Sequence, residues 1–188
     1  SEEEKEIDFS SRKDWNRFWL VDPLDGTKEF INRNGEFTVN IALIEDSSPV
    51  MGVVYAPVKK KLWYGLKNHG SFLINNNEKP IKISKKKPLN EIIKIVSSRS
   101  HANDKKLKKY LKKFKKHEIV SMGSSIKMCL VADGTAHYYP RFGPTMEWDT
   151  GAAHAVVKYA NGNIYNIDTK EELIYNKENL LNPGFIVK

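Results

Sequence analysis

Trp19-Leu20-Val21-Asp22-Pro23-Leu24-Asp25-Gly26-Thr27-Lys28-Glu29-Phe30 sets two carboxylates three residues apart, parts them by a proline and follows them with Gly-Thr. The apolar run from Phe18 to Val21 predicts a short buried strand over 18–22. Pro23 has no N–H to give to a ladder, so the strand is expected to end there. Asp22 and Asp25 then stand where strand gives way to turn. Carboxylates in such a place suit a hard, oxygen-seeking cation such as Mg²⁺. Gly26 lets backbone come close to a ligand, and N–H groups at the start of a following helix attract an anion. A cation beside an anion at one turn is phosphate chemistry. The same letters also spell an ordinary turn, because Asp, Pro and Gly each favour one.

A second segment, Gly143-Pro144-Thr145-Met146-Glu147-Trp148-Asp149-Thr150-Gly151-Ala152-Ala153-His154-Ala155, shifts the balance between these readings. One Asp precedes a run of small residues that predicts a helix with a close-packing face. Asp149 falls in its first turn, where a carboxylate meets the positive end of the helix dipole. Such an Asp is often only a cap. Its pairing with the first motif is what makes a ligand role credible.

The rest of the chain reads as a mixture of strands and helices. Strands are expected at 18–22, 36–45, 50–56, 61–66, 71–75, 80–84, 92–97, 135–139, 163–167 and 185–187. Helices are expected at 103–116, 124–133 and 149–159, the last stopping at Asn161-Gly162. Residues 1–17 read as a loop or mobile arm. Lys85-Lys86-Lys87-Pro88 is the best boundary candidate, dividing the chain into an N-terminal α+β part, 1–88, with the metal motif and a C-terminal α/β part, 89–188. The fold class is α/β.

Composition agrees without choosing a function. The 188 residues, 40% hydrophobic and 29% charged, suit a globular protein. No run is long enough to span a membrane, no secretory leader is read, and one cysteine excludes an internal disulfide. The expected location is the cytoplasm. The net charge of +8 is carried by lysine, densest from Lys105 to Lys116. Apolar residues at 107, 110, 111 and 114 have helical spacing, so the lysines are read as a solvated outer face and not as a nucleic-acid site. Attraction of an anionic substrate, or peripheral contact with the acidic inner membrane surface, is the lesser alternative. Cys129, in the apolar run 128–132, reads as a small buried hydrophobe.

Asp-Pro-Leu-Asp-Gly-Thr with the later Trp-Asp-x-x-Ala-Ala resembles the inositol monophosphatase superfamily of Mg²⁺-dependent phosphatases. The closer likeness is to its bacterial CysQ-type 3'(2'),5'-bisphosphate nucleotidase branch. It rests also on Arg33 to Ala42, Gly52 to Pro57, Ser98-Arg99-Ser100-His101, Gly123 to Lys127, Tyr139 to Pro144 and Leu181 to Phe185, and so covers nearly the whole chain. The resemblance implies layered sheets and helices, an αβαβα sandwich, with two or more Mg²⁺ ions per site. It implies metal ligation by Glu2 (Glu3 is the alternative register), by Asp22 as a bridge, by the Leu24 carbonyl, and by Asp25 and Asp149. It implies that Gly26 and Thr27 bind the scissile phosphate through backbone N–H groups, and that the Thr27 hydroxyl orients the attacking water. Asp22, Asp25 and Thr27 are thus the expected catalytic set.

The nucleotidase branch further implies a nucleotide site lined by His101, Ser124, Lys127 and Arg141. Arg offers a planar fork to a second phosphate and Lys a point charge. Ser124 and Ser125 are candidate donors to phosphate or ribose oxygens. The ordinary readings are a helix cap for Gly-Ser-Ser, a surface His and a structural ion pair for Arg141. The expected substrate is a small nucleotide, adenosine 3',5'-bisphosphate, a by-product of sulfate assimilation. Inositol monophosphate or another sugar phosphate is the runner-up, and a non-catalytic remnant the third reading. The remnant is weighed because the chain opens at Ser1, on the first expected ligand. Family members carry some tens of residues before that point, mainly two helices and an acidic residue that pairs with the Thr matching Thr27. An N-terminally truncated sandwich lacking those helices, poorly active by itself, is therefore expected. A smaller departure is Gly151-Ala152-Ala153, where relatives read Ala-Ala-Gly.

Overall fold

A computed structural model describes residues 7–88, 92–99 and 104–188. Its largest element is a six-stranded antiparallel sheet whose strands lie in chain order: β1 (Arg17–Asp25), β2 (Thr38–Glu45), β3 (Ser48–Ala56), β4 (Lys61–Leu66), β5 (Gly70–Asn75) and β6 (Ile81–Ile83). Tight turns rich in Asn, Asp and Ser make this possible. At the β2–β3 corner Asp46 and Ser47 take φ of 48° and 60°, the left-handed pair that a two-residue hairpin requires. Along β2 alternate residues point inward, and Thr38, Asn40, Ala42 and Ile44 are all buried.

The inward side of the sheet is covered by α5 (Glu147–Lys158), which packs on β1 through β5. Its small-residue face lets the helix come close. A Cβ at Gly52 on β3 would lie 2.2 Å from the Ala152 carbonyl oxygen, and one at Gly65 on β4 would lie 2.6 Å from that of Ala155. Ala42, Val54 and Trp63 of the sheet join Ala152, Val156 and Val157 in one core. The same core takes in α4 (Ile126–Ala132), every residue of which is buried. Beyond these helices lies a second strand layer. In it β7 (Ile93–Ser97) pairs in parallel with β8 (His117–Ser121), and α3 (Lys105–Leu111) connects them. Beside them β9 (Tyr139–Arg141), β10 (Ile164–Asn166) and β11 (Phe185–Val187) form a sheet in the order β10-β11-β9. A bridge from Ile95 to Tyr138 links the two pieces. The α/β layering matches the class read from the sequence.

Four local expectations are corrected. The first strand does not stop at Pro23. It continues to Asp25 across a bulge, pairing Asp22 with Asn40 and Asp25 with Thr38. Since β1 is the outer strand of its sheet, a residue without N–H is tolerated in the bulge. Within the expected arm, α1 (Phe9–Arg12) forms a helical turn whose Arg12 is buried and donates to Asn176 Oδ1, the Lys177 carbonyl and the Glu178 carbonyl at 2.9, 2.7 and 3.0 Å. The lysine-rich helix is shorter than its periodicity suggests, and β8 was not foreseen because its side chains are mostly exposed. The strand expected at 135–139 forms at Tyr139–Arg141, preceded by the Tyr138 bridge.

Candidate metal centre and nucleotide cleft

The bulge in β1 fixes the first two carboxylates. Asp22 still belongs to the regular ladder, points inward and is fully buried. Its Oδ1 accepts the Leu24 N–H at 2.9 Å, which closes the bulge. Asp25 ends the strand. Gly26 follows with φ of +90°, a conformation that L side chains rarely adopt, and starts α2 (Thr27–Ile31). The third carboxylate comes from the first turn of α5, where Asp149 Oδ2 accepts the Met146 N–H at 2.8 Å. Asp22, Asp25 and Asp149 each bring a carboxylate oxygen within 4.8 Å of the others.

Asp25 and Asp149 line a cleft of about 280 Å³. Gly26, Thr27, Ser124, Lys127 and Arg141 line the same cleft. The structure therefore gathers Asp22, Asp25, Gly26, Thr27, Ser124, Lys127, Arg141 and Asp149 into one place. The expected ligand Glu2 and the expected base contact His101 lie outside the described residues. Leu24 sits in the bulge with its carbonyl oxygen 3.5 Å from the Thr27 hydroxyl.

The cationic residues of the cleft differ in their surroundings. Lys127 is buried, donates to the Ser124 carbonyl at 2.6 Å, and has its ammonium 5.5 Å from the centre of the Tyr139 ring. Burial pushes its pKa down to about 8; Asp25 works against that shift and Arg141 adds to it. The Arg141 Nη2 donates to the Pro144 carbonyl at 3.1 Å, while its buried Nε has no hydrogen-bond partner among the described residues. Cys129 is buried, and burial holds its thiol well above the ordinary range, which removes it as a nucleophile.

Two cross-connections escaped the sequence. Glu36, on the loop before β2, receives both Arg99 guanidinium nitrogens and the Gly123 N–H, so it ties the N-terminal half to the 123–125 turn. Ser125, read as a donor to substrate, is committed instead to Asp25, Asn40 and Thr38. Partners so far apart in sequence carry no local signature. The alternation of β2, which aims Thr38 and Asn40 at one face, was the available clue.

The chain belongs to the inositol monophosphatase family, whose profile matches residues 1–185. The 3'(2'),5'-bisphosphate nucleotidase CysQ of Salmonella typhimurium is 49% identical over 176 residues, covering 94% of this chain and 70% of that protein. CysQ of Escherichia coli K12 is 47% identical over 185 residues, covering 98% of this chain and 73% of its own. Among solved structures, CysQ from Bacteroides thetaiotaomicron, described as a bacterial member of the same family, superposes with a TM-score of 0.90 at 45% identity, over 99% of this chain and 74% of that one. The family is metal-dependent, and this chain presents the carboxylate cluster such dependence needs. No helix among the described residues is long and apolar enough to cross a membrane, which leaves β-barrels unaddressed.

Proposed function

We propose that the chain is a phosphoric monoester hydrolase of the 3'(2'),5'-bisphosphate nucleotidase type, removing the 3'-phosphate of adenosine 3',5'-bisphosphate to leave AMP and phosphate, with Mg²⁺ as its cation. One observation carries this reading: Asp22, Asp25 and Asp149 cluster their carboxylates, and Asp25 and Asp149 line the same cleft as Lys127 and Arg141. The donor set fits the metal. All three groups are carboxylate oxygens, the ligands a hard cation takes. Like charges with oxygens within 4.8 Å also repel one another until a cation sits among them.

Asp22, Asp25 and Asp149 would hold the cations, with the Leu24 carbonyl beside them and Glu2 or Glu3 as the remaining ligand the family pattern implies. Bound there, such cations lower the pKa of a coordinated water and offset charge developing on the phosphoryl oxygens. The protein's part is placement. Gly26 and Thr27 turn backbone toward the scissile phosphate, and the Thr27 hydroxyl accepts or donates one hydrogen bond to align the attacking water. Lys127 and Arg141 receive the other phosphate. Lys127 is already desolvated by the fold, so its charge acts in a medium of low polarity, where attraction to phosphate is strong. Ser124, held at φ of +45°, lines the same cleft, and His101 is proposed to meet the base.

Lys127 and Arg141 favour a nucleotide with two phosphates over a neutral polyol ester, and the activity named for the relatives supports the same choice. A cytoplasmic enzyme acting on a free nucleotide is the accompanying proposal, in keeping with a buried reduced Cys129. Phosphate release measured with Mg²⁺ from adenosine 3',5'-bisphosphate beside inositol 1-phosphate is the test. Preference for the nucleotide is expected. Preference for the inositol ester would overturn the substrate, and release from neither would return the remnant reading.

A further inference from the structure

Asp25 is held by a chain of buried polar groups that begins on β2 and passes through the 123–125 turn. Its Oδ2 accepts the Ser125 N–H at 2.5 Å and the Asn40 Nδ2 at 3.4 Å. The Ser125 hydroxyl donates to Asn40 Oδ1 at 2.8 Å and lies 2.8 Å from the Thr38 hydroxyl. Thr38, Asn40 and Ser125 are 0%, 1% and 1% exposed, so water cannot substitute for any of these partners.

Counting protons gives the chain a direction. A carboxylate accepts only, so Asn40 must turn its amide nitrogen to Asp25 and its oxygen to Ser125. The single Ser125 hydroxyl proton then goes to Asn40. The short contact between the hydroxyls is left for the Thr38 proton, which Ser125 accepts, and the Thr38 approach to Asp25 Oδ2 at 3.3 Å is the weaker alternative. Thr38, Ser125, Asn40 and Asp25 thus form one run of hydrogen bonds, and a second donor, the Ser125 N–H, lands on the same carboxylate oxygen. Every donor falls on Oδ2. Oδ1 takes no hydrogen bond from the described residues and is the oxygen left for a cation.

We infer that Thr38, Asn40 and Ser125 are positioning residues for the metal site: they pin one oxygen of Asp25 so that the other is turned toward the cation. This rests on the reading of Asp25 as a metal ligand. It adds a structural condition. Ser125 belongs to the turn that carries Ser124, close to Lys127, so the metal site is complete only while the nucleotide-facing turn is docked on β2. Outer partners that orient a ligand change metal affinity by about 10–100-fold when removed.

The test is Mn²⁺ binding to the metal-free full chain, followed by calorimetry and by the spin resonance of free Mn²⁺, with folding checked by circular dichroism. Thr38→Val keeps the shape and removes the hydroxyl, Thr38→Ser keeps the hydroxyl, and Ser125→Ala breaks the chain at its centre. Binding is expected to weaken about tenfold or more in Thr38→Val and Ser125→Ala and to stay within about threefold of the parent in Thr38→Ser. The Thr38→Val/Ser125→Ala double variant should bind no worse than Ser125→Ala, because both breaks lie on one path. Asp25→Asn separates the failures. If it loses Mn²⁺ while folded Thr38→Val and Ser125→Ala bind as the parent does, the positioning role is wrong. If Asp25→Asn also binds unchanged, the metal reading beneath it is wrong. Should Ser125→Ala not fold, the contrast between Thr38→Val and Thr38→Ser decides.

Discussion

Glu36 and Arg99 meet in a two-pronged ion pair, with nitrogen–oxygen distances of 2.5 and 2.8 Å. One member precedes β2 and the other follows β7, so the pair clamps the two halves of the chain just beneath the turn that holds Ser124. The Glu36 carboxylate is buried while Arg99 is half exposed, so the cost of losing the partner falls on Glu36.

That asymmetry makes the first prediction. Arg99→Ala leaves a buried carboxylate with the Gly123 N–H as a remaining donor, which costs about 1–3 kcal/mol and lowers the melting temperature by about 2–10 °C. The Arg99 hydrogen bonds hold the Glu36 pKa below its ordinary 4.5. The folded state therefore favours the ionised form, and the stabilisation is present above that value. It is lost as pH falls through the lower folded pKa. Glu36→Gln should flatten the acid side of the stability curve below about pH 4.5. Thermal melts of parent and variant at several acidic pH values measure this, and parallel curves would refute it.

Lys127 carries the second prediction. With a pKa pushed down to about 8, its charge is present at neutral pH and fades as pH rises. Besides Asp25 and Arg141, Glu29 and Glu36 act on it at a distance. The kcat/KM for the bisphosphate should fall with an apparent pKa near 8, and Lys127→Met should raise KM about tenfold or more and remove that limb. An unchanged pH profile in the variant would assign the limb elsewhere.

The carboxylate cluster gives the third. Asp149→Asn removes one of the three clustered carboxylates, and its loss should cost about 100-fold or more in kcat, since metal assistance supplies several kcal/mol. Chelation should abolish phosphate release and added Mg²⁺ restore it. Retained activity after exhaustive chelation would exclude the mechanism.

Gly52 supplies the fourth. A methyl there would meet the α5 backbone at 2.2 Å, and a helix backbone cannot swing aside as a side chain can. Gly52→Ala should destabilise by about 1–3 kcal/mol. Because the displaced helix carries Asp149, phosphatase activity should drop in the protein that remains folded. A stable variant with full activity would show that α5 has more freedom than its packing suggests.

The parts of the site legible in the sequence were those written in short strings. Asp22, Asp25 and Gly26 share one motif, and Asp149 heads the small-residue run that seats α5 on Gly52 and Gly65. The strands of the large sheet were legible for the same reason, as alternation interrupted by turn residues, while their order in the sheet was not read. What stayed hidden depends on pairing across long stretches of chain. Thr38 and Asn40 read as ordinary strand residues until the sheet aims them at Ser125, and nothing near Arg99 in the sequence points to Glu36 as its partner. Pro23 misled because its ban from inner strands does not hold for a bulge on an outer one. The lysine periodicity overstated α3, since a charged outer face fits a turn as well as a helix.

The order of strands in the large sheet has a consequence for how the molecule comes into being. Each hairpin pairs neighbours in sequence, so the meander can zip up from local contacts, which form quickly. The helix that caps it arrives from the far end of the chain. Asp22 and Asp25 thus sit on a locally paired strand, whereas Asp149 reaches them only through a long-range contact, against the repulsion of the two charges on β1. A divalent ion bound there would stabilise that long-range closure, making the cation a partner in folding as well as in catalysis.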